Sequence, residues 1–127
     1  MTLTDTDVLI DFLAGREPAA ERVARELESG NLCTTVITRF EMLSGARGVR
    51  EKRIVGELLD SMKIVTLDVS AADRAADVRR ALERKGIGIG MADSLIAGIA
   101  LHVVGTLLTR NLRLFERVDG LDLARFE

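Results

Sequence analysis

The sequence predicts a three-layer α/β/α fold around a short-stranded, mostly parallel central sheet. Apolar segments of strand length alternate with helical segments along the chain, which is typical of a parallel sheet covered by helices on both faces. The predicted strands are short and apolar rather than alternating, as expected when both faces of a sheet are buried. The chain has 127 residues, 47% hydrophobic and 30% charged, which fits a single domain spanning residues 1–127.

The first half of the chain contains two predicted strands and four predicted helices. The strands are residues 2–4 and 32–35. The helices are residues 8–13, 19–29, 36–46 and 49–62. Gly15 and Gly30 follow the first two helices, where glycine readily adopts the left-handed conformation that often ends a helix. Pro18 suits the start of the second helix because its missing N–H is not needed there.

The second half contains three predicted strands, the last of them at a sheet edge. These strands are residues 63–67, 106–109 and 121–124. The helices are residues 70–85, residues 91–103 and a short segment ending at residue 117. In the first of these helices, apolar side chains recur at helical spacing and are expected to face the core. They are Ala71, Ala75, Val78 and Leu82.

Acidic side chains fall near the ends of several predicted strands. Asp5 follows the first strand, Glu41 lies on the helix after the second, and Asp93 begins the helix before the fourth. Sites in open parallel sheets lie beyond the carboxyl ends of the strands, where the strand order reverses. If the first and fourth strands are neighbours there, these acids and the segment 109–111 converge on one edge.

A cluster of carboxylates favours a particular kind of chemistry. Carboxylates held close together repel one another and raise each other's pKa values, so a cation stabilises the cluster. Oxygen ligands without histidine or thiolate favour Mg²⁺ or Mn²⁺ over Zn²⁺. Because Mg²⁺ keeps several waters and bridges to phosphate oxygens, the cluster favours a phosphodiester substrate.

Each acid also has a purely structural interpretation. Asp5 can cap the helix that starts near Asp7. Glu41 completes a capping-box pattern with Thr38, in which the glutamate reaches back to the helix start, and locally this interpretation is the better one. Asp93 lies in a first helical turn, where an acid is stabilised by the helix dipole. Spacing alone leaves these alternatives open.

Four segments, in order, resemble the motifs of the PIN-domain family. They are residues 3–11, residues 38–46, residues 93–97 with 100–101, and residues 107–111 with Phe115. Together they cover nearly the whole chain, and its length is similar to that of VapC-type toxins within the family. The resemblance implies a single PIN-like nuclease domain that acts as a Mg²⁺- or Mn²⁺-dependent endoribonuclease.

The resemblance also implies roles for individual side chains. Asp5 and Asp93 would be the principal metal ligands, and Glu41 would bind a second metal or orient the attacking water. Thr6 and Thr109 would support the site by hydrogen bonds.

Basic side chains are candidates for holding the RNA backbone on grounds of charge alone. Arg110 is one of them, and Arg47, from the group at residues 47–53, is another.

Two positions depart from the family pattern. Residue 7 is Asp where the family commonly has Asn, which adds a negative charge beside Asp5. The fourth motif lacks its frequent acid and has Asn111 in the turn, with Glu116 as a possible substitute. These departures bear on a second metal site.

The resemblance further implies an antitoxin partner, and exposed apolar helix surface predicts a homodimer. No segment has the length and apolar character of a membrane span, and no basic region followed by an apolar run precedes residue 8, so a soluble, cytoplasmic protein is expected. The net charge of −2 does not by itself indicate a nucleic-acid partner.

Two other functions remain open from the sequence. Residues 5–9 also resemble the first motif of haloacid-dehalogenase-like phosphatases, but that family needs a later lysine and none follows Lys85. A PIN module with an incomplete fourth motif could instead bind RNA or protein with little catalysis. Release of phosphate from small phosphomonoesters would favour the first alternative, and RNA binding in Mg²⁺ without cleavage the second.

Overall fold

The computed structural model describes residues 1–126 and contains a five-stranded sheet with helices on both faces. The strands are β1 (Thr2–Thr4), β2 (Leu32–Thr35), β3 (Lys63–Val65), β4 (Thr106–Leu108) and β5 (Asp122–Leu123). The helices are α1 (Thr6–Leu13), α2 (Ala19–Glu28), α3 (Val36–Gly45), α4 (Gly48–Asp60), α5 (Val69–Arg84), α6 (Met91–Val103) and α7 (Leu112–Phe115).

The strand order is β3-β2-β1-β4-β5, and every pair is parallel. The order therefore reverses between β1 and β4, where Leu3 pairs with Leu107 and Thr4 with Leu108. The backbone N–H of Asp5 continues this pairing by donating to the Leu108 carbonyl over 3.3 Å. Asp5 and Thr109 thus leave the sheet side by side, which confirms the predicted switch point.

Neighbouring strand residues point to opposite faces of the sheet and enter two separate cores. Leu107 packs with Leu3 and Ile96 on the face covered by α5 and α6. Leu108 packs with Leu9 on the opposite face, which α1, α2 and α4 cover. The observed layers confirm the predicted α/β/α fold.

The predicted elements are all present, and no bound differs from its prediction by more than two residues. The first helix begins at Thr6 rather than at residue 8 because Asp5 is its N-cap. The predicted strand 63–67 ends at Val65, before Asp68 caps the next helix. Among the helices of residues 1–126, none is long and apolar enough to cross a membrane.

The α5–α6 contact fixes the helix that carries Asp93. At Gly98, on α6, an added Cβ would lie 2.6 Å from the Ala71 carbonyl oxygen and 2.6 Å from the Ala75 Cβ. Real Cβ atoms do not approach that closely, so only glycine lets the two helices pack at this separation. Asp93 lies five residues before Gly98 on the same helix, so this contact fixes the backbone that carries it.

Candidate active site at the carboxyl edge of the sheet

Asp5 lies where β1 ends, and both of its carboxylate oxygens are hydrogen bonded. Its Oδ1 accepts from the Val8 backbone N–H over 3.2 Å, which caps α1. Its Oδ2 accepts from the Thr109 hydroxyl over 2.5 Å, across the switch point. The capping interpretation is therefore correct for one oxygen, while the second faces β4.

Burial makes this carboxylate costly to ionise. Asp5 is 6% exposed. Desolvation raises its pKa from 3.8 to about 6, against the lowering effect of the hydrogen bonds from Thr109 and Val8. The negative charges of Asp7 and Asp93 contribute to this rise in the pKa. A cation in this position would relieve both the desolvation and the repulsion.

Asp93 faces the same region from the first turn of α6. Burial is the main cause that raises its pKa, followed by the charges of Glu41 and Asp7. The helix start is held by the Ser94 hydroxyl, which donates to the Gly90 carbonyl over 2.9 Å. The structure therefore brings Asp5, Asp93 and Glu41 within electrostatic range of one another.

Glu41 does not cap its own helix. The N-cap of α3 is Thr35, whose hydroxyl accepts from the Thr38 backbone N–H over 3.1 Å. Since the helix begins directly at the end of β2, Thr38 lies inside its first turn and the capping-box prediction is wrong. The Glu41 carboxylate instead accepts from the Thr6 hydroxyl over 2.6 Å, which ties it to the residue after Asp5.

Arg110 is bound to acidic side chains of α1. Its Nη1 lies 2.9 Å and 3.0 Å from the two oxygens of Asp11, and its Nη2 lies 3.9 Å from Asp7 Oδ2. Asp11 is 7% exposed, and sequence reasoning missed it. The available signal was its spacing, because Asp7 and Asp11 are four residues apart and share one face of the helix.

The remaining predicted residues lie at the margin of the site. The Asn111 backbone N–H donates to the Thr109 hydroxyl oxygen over 3.0 Å, while its side chain does not cap α7. Arg47 and Glu116 are exposed at the start of α4 and the end of α7. Within residues 1–126, no hydrogen bond or ion pair joins either of them to the acidic side chains.

The donor set fits a hard divalent cation. Asp5, Glu41 and Asp93 offer carboxylate oxygens alone, the ligands that Mg²⁺ and Mn²⁺ prefer. In the described part of the chain, no three acidic, histidine or cysteine side chains are close enough to enclose an ion by themselves. A divalent cation at this place would therefore be held by fewer than three of these side chains and would complete its coordination with water.

Comparison with known proteins identifies the family. The sequence model of the PIN domain family matches residues 2–121 of this chain. The chain belongs to the PIN domain family. This assignment agrees with the order of the four motifs along the sequence, and it replaces the phosphatase alternative.

The PIN domain is similar along most of its length to two named nucleases. It is 30% identical over 123 residues to the tRNA(fMet)-specific endonuclease VapC of Shigella flexneri, covering 94% of this chain and 92% of that protein. It is 33% identical over 124 residues to Ribonuclease VapC19 of Mycobacterium tuberculosis, covering 95% and 97%.

A solved structure has the same architecture. The PIN domain aligns with a chain of DNA-bound VapBC from Salmonella typhimurium with a TM-score of 0.85 and 27% identity. The alignment covers 99% of this chain and 98% of that one. The architecture of the PIN domain is thus that of a known fold.

The raised pKa of Asp5 predicts a pH-dependent stability for the metal-free PIN domain. Because the folded pKa of about 6 exceeds the ordinary value of 3.8, the protonated form favours folding. The contribution of protonated Asp5 to the free energy of unfolding is fully present below pH 3.8 and is lost as the pH rises through 6. The whole effect is about 3 kcal/mol in the free energy of unfolding.

The measurement compares denaturant unfolding of the wild type and Asp5→Asn from pH 4 to pH 8 in EDTA. Asp5→Asn is expected to gain about 2–3 kcal/mol relative to the wild type across this range, because asparagine does not ionise. A difference between the two proteins that does not change with pH would contradict the assigned burial of a charged Asp5.

The ion pair between Arg110 and Asp11 predicts an energetic coupling between α1 and the turn after β4. Unfolding of Asp11→Asn, Arg110→Gln and the double variant should give a coupling free energy of about 1–2 kcal/mol. The coupling arises because removing Arg110 leaves the buried Asp11 carboxylate with a poorer partner, Arg16 at 3.4 Å. Additive effects of the two substitutions would show that the pair contributes nothing.

Proposed function

We propose that this PIN domain is a Mg²⁺- or Mn²⁺-dependent endoribonuclease and the toxin of a toxin–antitoxin pair. The observation that carries the proposal is the buried Asp5 carboxylate, whose pKa of about 6 reflects burial and two acidic neighbours. Asp93 and Glu41 extend the acidic cluster at the sheet edge where such folds place their sites. Similarity to a named tRNA endonuclease and a named ribonuclease supports RNA as the substrate.

The acidic side chains have separate roles in phosphodiester hydrolysis. Asp5 and Asp93 would hold the divalent ion, which when bound would supply positive charge against the charge that develops on the phosphate. Thr109 orients Asp5 through its 2.5 Å hydrogen bond, so that the carboxylate keeps one direction. Thr6 orients Glu41 in the same way through one oxygen, Oε1.

Glu41 then has a second oxygen, Oε2, available for a water molecule. It aligns this water for in-line attack at phosphorus and accepts its proton. The bond between phosphorus and the 3′-oxygen breaks, and the 3′-oxygen takes up a proton. The products are a 5′-phosphate and a 3′-hydroxyl, because the bond that breaks is the one between phosphorus and the 3′-oxygen.

An apolar groove beside the acidic site suits an antitoxin segment. Its volume is about 410 Å³, and it lies between α1, α3 and α4. Its wall includes Glu41 and the exposed apolar side chains Ile10 and Ile54, which are 44% and 40% exposed. An apolar segment docked there would cover this surface and close access to Glu41.

The homodimer stays a prediction, supported by further exposed apolar residues such as Phe40 and Met91.

Cleavage of a mixed RNA pool tests the proposed activity. We expect fragments in Mg²⁺ or Mn²⁺, no fragments in EDTA, and 5′-phosphate ends on the products. Full-length RNA that is bound in Mg²⁺ but never cut would contradict the nuclease and favour the binding module instead.

A further inference from the structure

A second groove adjoins the acidic site on the side of α7. Its volume is about 380 Å³, and it is separate from the apolar groove. Its lining residues come from the link between α5 and α6 and from the segment after β4. They are Gly86, Ile87, Asn111, Arg113, Leu114 and Arg117.

Two arginines of this groove are exposed and have no acidic partner. Within residues 1–126, no carboxylate lies within ion-pair distance of Arg113 or Arg117. Arg110 differs, because its guanidinium is occupied by Asp11. A guanidinium without a carboxylate keeps its five N–H donors for other anions, and phosphate is the anion whose geometry it matches best.

Hydrogen bonds connect the groove to the acidic cluster. Asn111 lines the groove, and its backbone N–H donates to the Thr109 hydroxyl oxygen over 3.0 Å. That hydroxyl in turn donates to Asp5 over 2.5 Å. The groove wall is therefore two hydrogen bonds away from the carboxylate at the centre of the site, so that one extended strand of nucleic acid can contact both.

The rest of the groove leaves room for the sugar-phosphate backbone of a nucleic acid. Gly86 has a φ of 75°, and nothing lies within 4 Å of the position where its Cβ would be. Arg84 and Lys85, both exposed at the end of α5, add positive charge beside it. The residues that line the groove thus include two arginines and no acid, even though the net charge of the chain is −2.

We propose that this groove, with Arg113 and Arg117, binds the phosphodiester backbone of the substrate RNA next to the bond that Asp5 and Asp93 address. The proposal rests on the proposed ribonuclease function, and it replaces Arg110 with Arg113 and Arg117 as the groups that hold phosphate. The contacts are to phosphate oxygens and are independent of base sequence.

Binding of labelled single-stranded RNA tests the groove without relying on cleavage. The Asp93→Asn protein, used as a non-cleaving background, is compared with the same protein carrying Arg113→Gln and Arg117→Gln. We expect RNA affinity to fall about ten-fold, and the slope of log affinity against log salt to fall by about 1.4, or 0.7 for each lost phosphate contact. Lysine at both positions should restore most of the salt slope, because the charge is retained.

The matched control removes two charges elsewhere. Arg25 and Lys63 lie at the amino edge of the sheet. The variant with Arg25→Gln and Lys63→Gln should bind RNA like its parent. In the active protein, Arg113→Gln with Arg117→Gln should raise KM and leave kcat nearly unchanged. Unfolding temperatures equal to those of the parents would show that the exposed substitutions leave the fold intact.

The two proposals fail in different ways. Unchanged affinity, salt slope and KM in the Arg113→Gln, Arg117→Gln protein would overturn the groove and leave the nuclease standing. A protein that never cleaves RNA would overturn the proposed nuclease activity. A reduced salt slope in the double variant would still support RNA binding in the groove. Weakened antitoxin binding with unchanged RNA binding would assign these arginines to the protein partner and also overturn the groove.

Discussion

Asp93→Asn is expected to lower Mg²⁺-dependent RNA cleavage by about a hundred-fold or more. The substitution keeps the size of the side chain and removes one negative charge from the cluster that Asp93 shares with Asp5 and Glu41. The site would then hold a divalent cation weakly at the same backbone geometry. The measurement is the initial rate of cleavage of a labelled RNA pool over a range of Mg²⁺ concentrations.

A matched control separates the local charge from the overall charge. Asp73 lies exposed on α5, and Asp73→Asn changes the net charge by the same amount. Its cleavage rate should stay within about two-fold of the wild type, because exposed charges beyond a Debye length of roughly 10 Å are screened. A wild-type rate in Asp93→Asn would remove Asp93 from the site.

Gly98→Ala is expected to destabilise the fold by about 2 kcal/mol, with an unfolding temperature lower by about 8 °C. Alanine normally favours a helix over glycine, but here its Cβ would lie 2.6 Å from the Ala71 carbonyl oxygen and the Ala75 Cβ. The two helices must separate to admit it. Because α6 also carries Asp93, cleavage should fall along with stability.

The control for this substitution is another helical glycine. Gly56 lies inside α4, and nothing lies within 4 Å of its Cβ position. Gly56→Ala should therefore stabilise the protein by about 0.5–1 kcal/mol, as helix propensity alone predicts. Calorimetric unfolding of both variants distinguishes the cases. Stabilisation by both substitutions would contradict the close packing of α5 on α6.

Local patterns predicted the sheet and the centre of the site. Strands such as β1 and β4 are short and largely buried, and in a parallel sheet their carboxyl ends lie at one edge. Asp5 and Thr109 follow those ends directly, so their meeting followed from strand order alone. The same reasoning placed Asp93 near them.

Contacts between distant segments could not be predicted in this way. The Glu41–Thr6 hydrogen bond joins two helices whose relative position depends on how each packs on the sheet. The local capping pattern predicted the wrong partner for Glu41. It does not include the fact that β2 continues directly into α3. The pairing of Arg110 with Asp11 likewise spans 99 residues, and charge alone could not distinguish it from phosphate binding.

Calorimetric titration with Mn²⁺ in the absence of RNA tests the central claim most directly, namely that Asp5 and Asp93 together hold one divalent metal ion. We predict saturable binding by the wild type and by Asp73→Asn. Affinity should be at least about ten-fold weaker in Asp5→Asn and in Asp93→Asn, since each loses a charged oxygen ligand. Equal Mn²⁺ affinity in the wild type and both site variants would contradict the claim.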